Sequence, residues 1–349
     1  MSASTRTSGT PRVLIVGGGF VGLYTALGLE KHLRPGEAEV TLVSPESFMT
    51  YQPFLPEAAA GNVEPRHVVV PLRSVLSRTR LVVAEAHSLD HTDRVATLVT
   101  REGDRIEVAH DHAVIAVGSV SRTLPIPGLE GAGIGFKTVA EAIHLRNHVI
   151  SRLDAAEASP DEAARRRALT FVFVGGGYAG VEALAELEDL ARDAVRKYAS
   201  VTRADMRWVL VEAAGEILPE MAPGAGRYSV KALRARGIEV LLDTTLLSAE
   251  GGHIVLSNGE EFDTDTLVWT AGIHADPLTE RLGLERDERG RLVTDEFLRV
   301  VGAEGVWAAG DCAAVPDLVT GKVCPPTAQY AIRQARRLAR NLVATIRGE

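Results

Sequence analysis

Two stretches predict the fold class. Val13-Leu14-Ile15-Val16 runs into Gly17-Gly18-Gly19-Phe20-Val21-Gly22, and 158 residues later Thr170-Phe171-Val172-Phe173-Val174 runs into Gly175-Gly176-Gly177-Tyr178-Ala179-Gly180. Each reads as a buried strand, a tight turn and the start of a helix, with the G-x-G-x-x-G spacing of a dinucleotide site. Short alternating runs follow each copy, the pattern of antiparallel strands. The expectation is an α/β chain with two Rossmann-like dinucleotide-binding domains, each three-layered and carrying an antiparallel β-meander.

Composition agrees. A chain of 349 residues with 46% apolar side chains is long enough for two cores. Its net charge of -8 argues against a general nucleic-acid binder, which needs clustered Lys and Arg against phosphates. Two cysteines, Cys312 and Cys324, exclude a disulfide scaffold and suit a reducing interior. Residues Met1–Pro11, rich in Ser, Thr and Gly, read as a disordered leader without a signal-peptide core. No apolar stretch approaches the ~18 residues of a membrane span. A cytoplasmic protein is expected, with peripheral contact to the inner face of the cell membrane as the alternative.

In the first copy Gly17 permits the sharp turn, Gly19 lets backbone N–H groups approach a pyrophosphate, and Gly22 lets the helix pack closely on the strand. The helix N-terminus then turns its positive end to the phosphates. Leu23, Leu27 and Leu29 carry the helix to Arg34-Pro35-Gly36. Val40–Val43 is a buried strand, and where an acid should bind the ribose hydroxyls stands Ser44, which can make one hydrogen bond where a carboxylate makes two. Glu46 nearby is read as an exposed loop acid, with substitution for the missing ribose acid as the alternative. Met49–Gly61, aromatic and proline-rich, reads as a loop laid over a flat surface. Leu81–Ala84, Val95–Thr100 and Arg105–Val108 form the expected meander, and Val114–Gly118 returns as a buried strand. Pro125–Gly128 marks a crossover between domains. His110 and His112 are read as surface residues without metal partners.

The second copy repeats the order of parts. A helix over Thr138–Ala158 stops at Ser159-Pro160-Asp161, and Arg165-Arg166-Arg167 reads as a solvated face. After the glycine turn a long helix runs from Tyr178 to about Tyr198, with Glu182 in its first turn. The strand Trp208–Val211 ends in Glu212, the ribose acid missing from the first copy. No Lys or Arg occurs from Trp208 to Gly226 to receive a 2'-phosphate, so NADH is expected over NADPH. Ile238–Leu242 and His253–Leu256, with an Asn258-Gly259 turn, form the second meander. Leu267–Gly272 matches the strand ending at Gly118. The last third brings Gly305–Asp311, a buried strand ending in Gly-Asp, then Cys324-Pro325-Pro326-Thr327-Ala328-Gln329 and a helix to about Ile346. Its arginines make that helix basic and amphipathic. It is expected to pack its apolar side on its own domain, with an anionic membrane as the alternative.

In this order the motifs resemble those of two-dinucleotide-domain flavoproteins, and most of all those of the type II NADH dehydrogenases, the non-proton-pumping NADH:quinone oxidoreductases. The likeness runs from about Arg12 to Leu342. Gln52-Pro53, Trp269-Thr270-Ala271-Gly272 and Thr327-Ala328-Gln329 favour this branch.

The resemblance implies non-covalent FAD in a discontinuous domain of residues 12–125 and 295–349, with NADH in residues 126–294. FAD would meet Gly17, Gly19, Phe20 and Gly22 at its pyrophosphate, Ser44 at the ribose, and Val83 through its backbone at the adenine. Asp311 would bind the ribitol. Gln52, Gly118, Thr327 and Ala328 would complete the site, the helix near Thr327 pointing N–H groups at the pyrimidine end of the ring. NADH would meet Gly175, Gly177, Tyr178, Gly180, Glu212 and Gly272. Glu182 would align nicotinamide or influence quinone protonation, its pKa raised by burial.

The family's quinone motif A-Q-x-A-x-Q stands here as Ala328-Gln329-Tyr330-Ala331-Ile332-Arg333, with Gln334 one step late. Gln329, as a catalytic and quinone-side residue, and Arg333 are therefore the candidates for the acceptor edge. The implied activity is hydride transfer from NADH to FAD, then two-electron reduction of a quinone-like acceptor. A reductase of a soluble carrier, or a non-enzymatic flavin/NADH sensor like the apoptosis-inducing-factor relatives, is the alternative. Dithiol chemistry is disfavoured because no cysteine precedes Cys312, and Cys324 is read as a small buried structural thiol. A homodimer, and membrane contact in a longer form than one ending at Glu349, are further expectations.

Overall fold

The computed structural model describes residues 9–219, 221–222 and 224–349. Most of the expected leader therefore lies outside the described residues. The chain divides into two compact units, one comprising residues up to Met49 with Val70–Val120 and His274–Glu349, the other Thr50–Val69 and Ser121–Ile273.

The first unit is built on a five-stranded, all-parallel sheet in the order Val306–Ala308, His112–Ile115, Arg12–Val16, Glu39–Ser44, Arg80–Val83. Its central strands are buried, which is why they read as continuous apolar runs rather than alternating ones. The tail closes this unit as expected: Val306–Ala308 adds the outer strand, and helix Ala328–Arg347 packs on helix Phe20–His32. Ala331, Ala335, Leu338, Ala339 and Leu342 form the buried stripe. A Cβ on Gly28 would stand 2.6 Å from that of Ala339, so glycine permits the close helix crossing. The apolar side of the basic helix is thus covered by its own domain, and its arginines 333, 336, 337 and 340 face outward.

Arg80–Val83 departs from expectation. It is the parallel edge of this sheet, with Val83 paired to Ser44, and not the first strand of the meander. The meander consists of Glu85–Asp90, Val95–Val99 and Arg105–Ala109. A three-residue apolar run is compatible with either role, and the pairing to the second strand decides it.

The second unit repeats the design, with parallel order Gly133–Ile134, Thr266–Trp269, Thr170–Val174, Arg207–Val211, Glu239–Leu241. Here too the Ile238–Leu242 run supplies the parallel edge, and the meander is Leu246–Ser248, His253–Leu256 and Glu261–Asp263. Phe171 stacks on Trp208 with ring centroids 4.3 Å apart. Helix Val139–Ala158 begins in a capping box between Thr138 and Glu141, and Asp161 caps the next helix, Glu162–Ala168. Helix Tyr178–Ala194 ends earlier than expected, in a 3-10 turn over Val195–Lys197.

Residues 49–61 are not a surface loop. Their core is a short helix, Leu55–Ala59, whose Leu55, Ala58 and Ala59 are buried with Leu145, Val149, Leu184 and Leu187. That packing draws residues 50–69 into the second unit, which also takes 121–125, while 274–294 joins the first, so the units differ from the expected domain ranges at these three segments. The Arg165–Arg167 run is also less solvated than its sequence suggests. Arg165 donates to the Ala156 and Ser200 carbonyls, and Arg167 to Asp265 and the Gly251 carbonyl.

His110 is not a surface residue: it is 2% exposed, and neither ring nitrogen has a hydrogen-bond partner among the described residues. Burial, aided by Arg12, Arg94 and His112 against the opposing charge of Asp111, lowers its pKa to about 4. The unfolded chain, with His110 near 6.5, then binds the extra proton first as pH falls. Stability contributed by the neutral ring is complete above pH ~6.5 and falls between there and pH ~4, by about 3 kcal/mol in all. Urea melts at pH 7 and pH 4.5 should show this loss, and His110→Phe should remove most of it. An unchanged pH slope in the variant would contradict the assignment.

Candidate functional site

Each unit carries one cradle at the carboxyl end of its parallel strands. In the first, Gly17 has φ +111°, and a Cβ there would overlap the Ala116 carbonyl oxygen. A Cβ on Gly22 would overlap the Gly17 carbonyl oxygen. These two glycines are therefore required by the protein itself. Gly19 differs: it precedes helix Phe20–His32 in an extended conformation, without a side-chain cap, and a Cβ on it would meet no heavy atom within 4 Å. Uncapped helix N–H groups beside open space fit a pyrophosphate. Phe20 is buried at the start of the helix, and Ser44 is buried at the end of the second strand, its Oγ 2.6 Å from where a Gly18 Cβ would stand.

Gly118, at φ +76°, follows the strand His112–Ile115. Asp311 lies in the turn after Val306–Ala308, where its carboxylate accepts a hydrogen bond from Ser119 Oγ at 2.8 Å. Thr327 caps the last helix by accepting the Tyr330 N–H at 3.4 Å, and Ala328 is the first helical residue. Gln329 and Arg333 are exposed on that helix. Gln52 stands apart from this set. It belongs to the second unit, where its Nε2 donates to the Lys137 carbonyl at 3.4 Å.

The second cradle matches the first in backbone and differs in side chains. Gly175 has φ +117°, and a Cβ on it would stand 2.7 Å from Thr270 Oγ1. A Cβ on Gly180 would overlap the Gly175 carbonyl oxygen, and Gly177, like Gly19, faces open space at an uncapped helix start. Tyr178 is exposed there. Glu212 accepts the Gly176 N–H at 2.6 Å and the Ala214 N–H at 2.7 Å, which fixes its carboxylate beside the turn. Gly272, at φ +80°, accepts the Arg122 N–H at 3.2 Å.

Glu182 is the fifth residue of its helix, beyond the first turn where the sequence placed it, so the helix dipole is a weaker reason for an acid there. Its side chain reaches solvent, yet desolvation by the surrounding protein, together with Glu57 and Glu186, raises its pKa. Glu57 was not singled out by the sequence, and its buried Oε2 has no hydrogen-bond partner among the described residues. Thr270, whose Oγ1 donates to the Val174 and Gly175 carbonyls, was another omission. Its place in Trp269-Thr270-Ala271-Gly272 was the available signal. Cys312 is fully buried against the Ile115 and Ala309 carbonyls, while Cys324 is only partly covered.

Two cradles of this kind in one chain define a dinucleotide-dependent oxidoreductase. The model of the pyridine nucleotide-disulphide oxidoreductase family matches residues 11–335, and the chain belongs to that family. Type II NADH:quinone oxidoreductases of Staphylococcus epidermidis and Staphylococcus aureus are each 30% identical to it, over 97% of this chain and 83% of theirs. Among solved structures, NDH2 from Plasmodium falciparum in complex with NADH superposes with a TM-score of 0.88 at 18% identity, covering 95% of this chain and 83% of that one. The putidaredoxin reductase–putidaredoxin complex gives 0.76 at 19%, covering 97% and 76%. These last two show likeness of fold.

Proposed function

We infer that the chain is an FAD-dependent NADH:quinone oxidoreductase, with FAD in the first unit and NADH in the second. The observation that carries the assignment of the two nucleotides is the contrast between Ser44 and Glu212 at equivalent places. Glu212 presents a fixed carboxylate that can accept both ribose hydroxyls of NADH and repels a 2'-phosphate. Ser44 offers a single hydroxyl, and Asp311 in the same unit supplies an acceptor suited to ribitol.

Bound FAD would supply the two-electron relay, taking a hydride from NADH and passing the electrons to quinone. The protein's own part is positional and electrostatic. Gly19 and Gly177 leave room for the two pyrophosphates beneath helix N-termini, and Ser119 orients the Asp311 carboxylate. Glu182, with its raised pKa, can hold a proton for the acceptor, and Gln329 and Arg333 mark the acceptor edge of the first unit. Membrane contact also belongs to this reading. No helix among the described residues is long and apolar enough to cross a membrane, and the outward arginines of the last helix suit an anionic surface.

Purified protein should be yellow and should bleach anaerobically with NADH, far faster than with NADPH. A colourless protein that does not take up FAD would sink the assignment. Glu182→Gln tests the proton-holding role. Quinone reduction that draws on protonated Glu182 should slow as pH rises through its raised pKa, and the variant should lose that slope. Unchanged half-reactions and an unchanged pH profile would remove Glu182 from the mechanism.

A further inference from the structure

The quinone-motif comparison leaves Gln334 without a purpose, and its place in the fold supplies one. On an α-helix, Arg333 follows Gln329 by four residues and shares its face, whereas Gln334, five residues on, is turned about 140° away. Gln329 and Arg333 are accordingly exposed, and Gln334 is 9% exposed. Its Oε1 accepts the Gly310 N–H at 2.7 Å. Gly310 is a demanding residue: its φ is +75°, and a Cβ on it would stand 2.7 Å from Val21 Cγ2 of the glycine-turn helix. The next residue is Asp311, whose carboxylate is held from the other side by Ser119. Gly310–Cys312 form one 3-10 turn, so the amide of Gln334 and the hydroxyl of Ser119 fix that turn at two points.

We propose that Gln334 is a positioning residue for flavin: by accepting the Gly310 N–H, it fixes the left-handed turn that aims the Asp311 carboxylate at the ribitol. This rests on the assignment of FAD to the first unit. The part-buried N–H of Gly310 loses its side-chain acceptor when Gln334 is replaced by an apolar residue, and the turn is then no longer tied to the last helix. A carboxylate at the same place would restore the acceptor.

The test compares Gln334→Leu and Gln334→Glu with wild-type holoenzyme, measuring FAD dissociation, the visible spectrum of the bound flavin and thermal melting at saturating FAD. Gln334→Leu should weaken FAD binding about tenfold, the scale of one lost hydrogen bond, and should alter the flavin spectrum. Gln334→Glu should bring FAD binding back to within about threefold of wild type. Wild-type dissociation in both variants would overturn the proposal. Equal weakening in both, with a matching drop in melting temperature, would overturn it too, since that is a packing defect rather than a lost acceptor. A wild-type chain that binds no FAD would instead sink the functional assignment on which the proposal rests.

Discussion

Gly19→Ala is expected to fold as the parent does and to bind FAD at least about tenfold more weakly, whereas Gly17→Ala is expected to destabilise the first unit itself. The two glycines lie two residues apart, but they are constrained by different partners. At Gly17 the backbone has φ +111°, and a methyl group would overlap the Ala116 carbonyl oxygen, a backbone atom that cannot swing away. Strain of this kind costs roughly 3 kcal/mol, a large share of a domain's stability, and should lower the melting temperature by about 10 °C. At Gly19 the extended conformation suits alanine, and beyond its own chain neighbours nothing in the protein lies within 4 Å of the added carbon. Only a ligand would feel it. Melting curves of the FAD-free proteins and FAD titrations separate the two cases, and Gly19→Ala that binds FAD like wild type would contradict the placement of the pyrophosphate.

Glu212→Ala should lower kcat/KM for NADH by about 10- to 100-fold, the range for losing charged hydrogen bonds to the ribose, while NADPH is affected little or improves. The NADH preference should therefore narrow by at least about tenfold. The carboxylate also accepts the Gly176 and Ala214 N–H groups, so part of the loss reflects a loosened turn. Glu212→Gln keeps an acceptor oxygen while removing the charge. It should recover part of the NADH activity, yet no longer repel NADPH as strongly. Unchanged selectivity in both variants would show that the ribose is bound elsewhere.

The glycine turns, the central strands and the returning Gly310-Asp311 segment were legible because backbone geometry demands those residues at those spacings. A positive φ at Gly17 and Gly175, or helix contact at Gly22 and Gly180, leaves no other choice. Edge strands were less legible. Leu81-Val82-Val83 and Glu239–Leu241 are too short for their alternation to separate a parallel edge from a meander. The helix Leu55–Ala59 was hidden because Pro53 and Pro56 read as breakers, although proline is tolerated in a first turn. His110 sat among polar neighbours that suggested solvent, while the strand returning into the sheet buried it. Gln334 looked like a motif residue out of register; helix phase shows it to be on the other face. Glu57 beside Glu182 and Gln334 beside Gly310 come from other segments of the chain, and no local pattern records them.

The most direct test of the account is a two-stage anaerobic stopped-flow experiment on the holoenzyme. Mixed with NADH, the flavin should bleach in a fast phase that NADPH does not reproduce. Mixed next with a soluble ubiquinone or menaquinone analogue, it should reoxidise within the time of a catalytic turnover, with one quinone reduced per flavin. A reduced flavin that instead persists as a charge-transfer complex with NAD and passes no electrons to quinone would contradict the enzyme and point to a redox sensor.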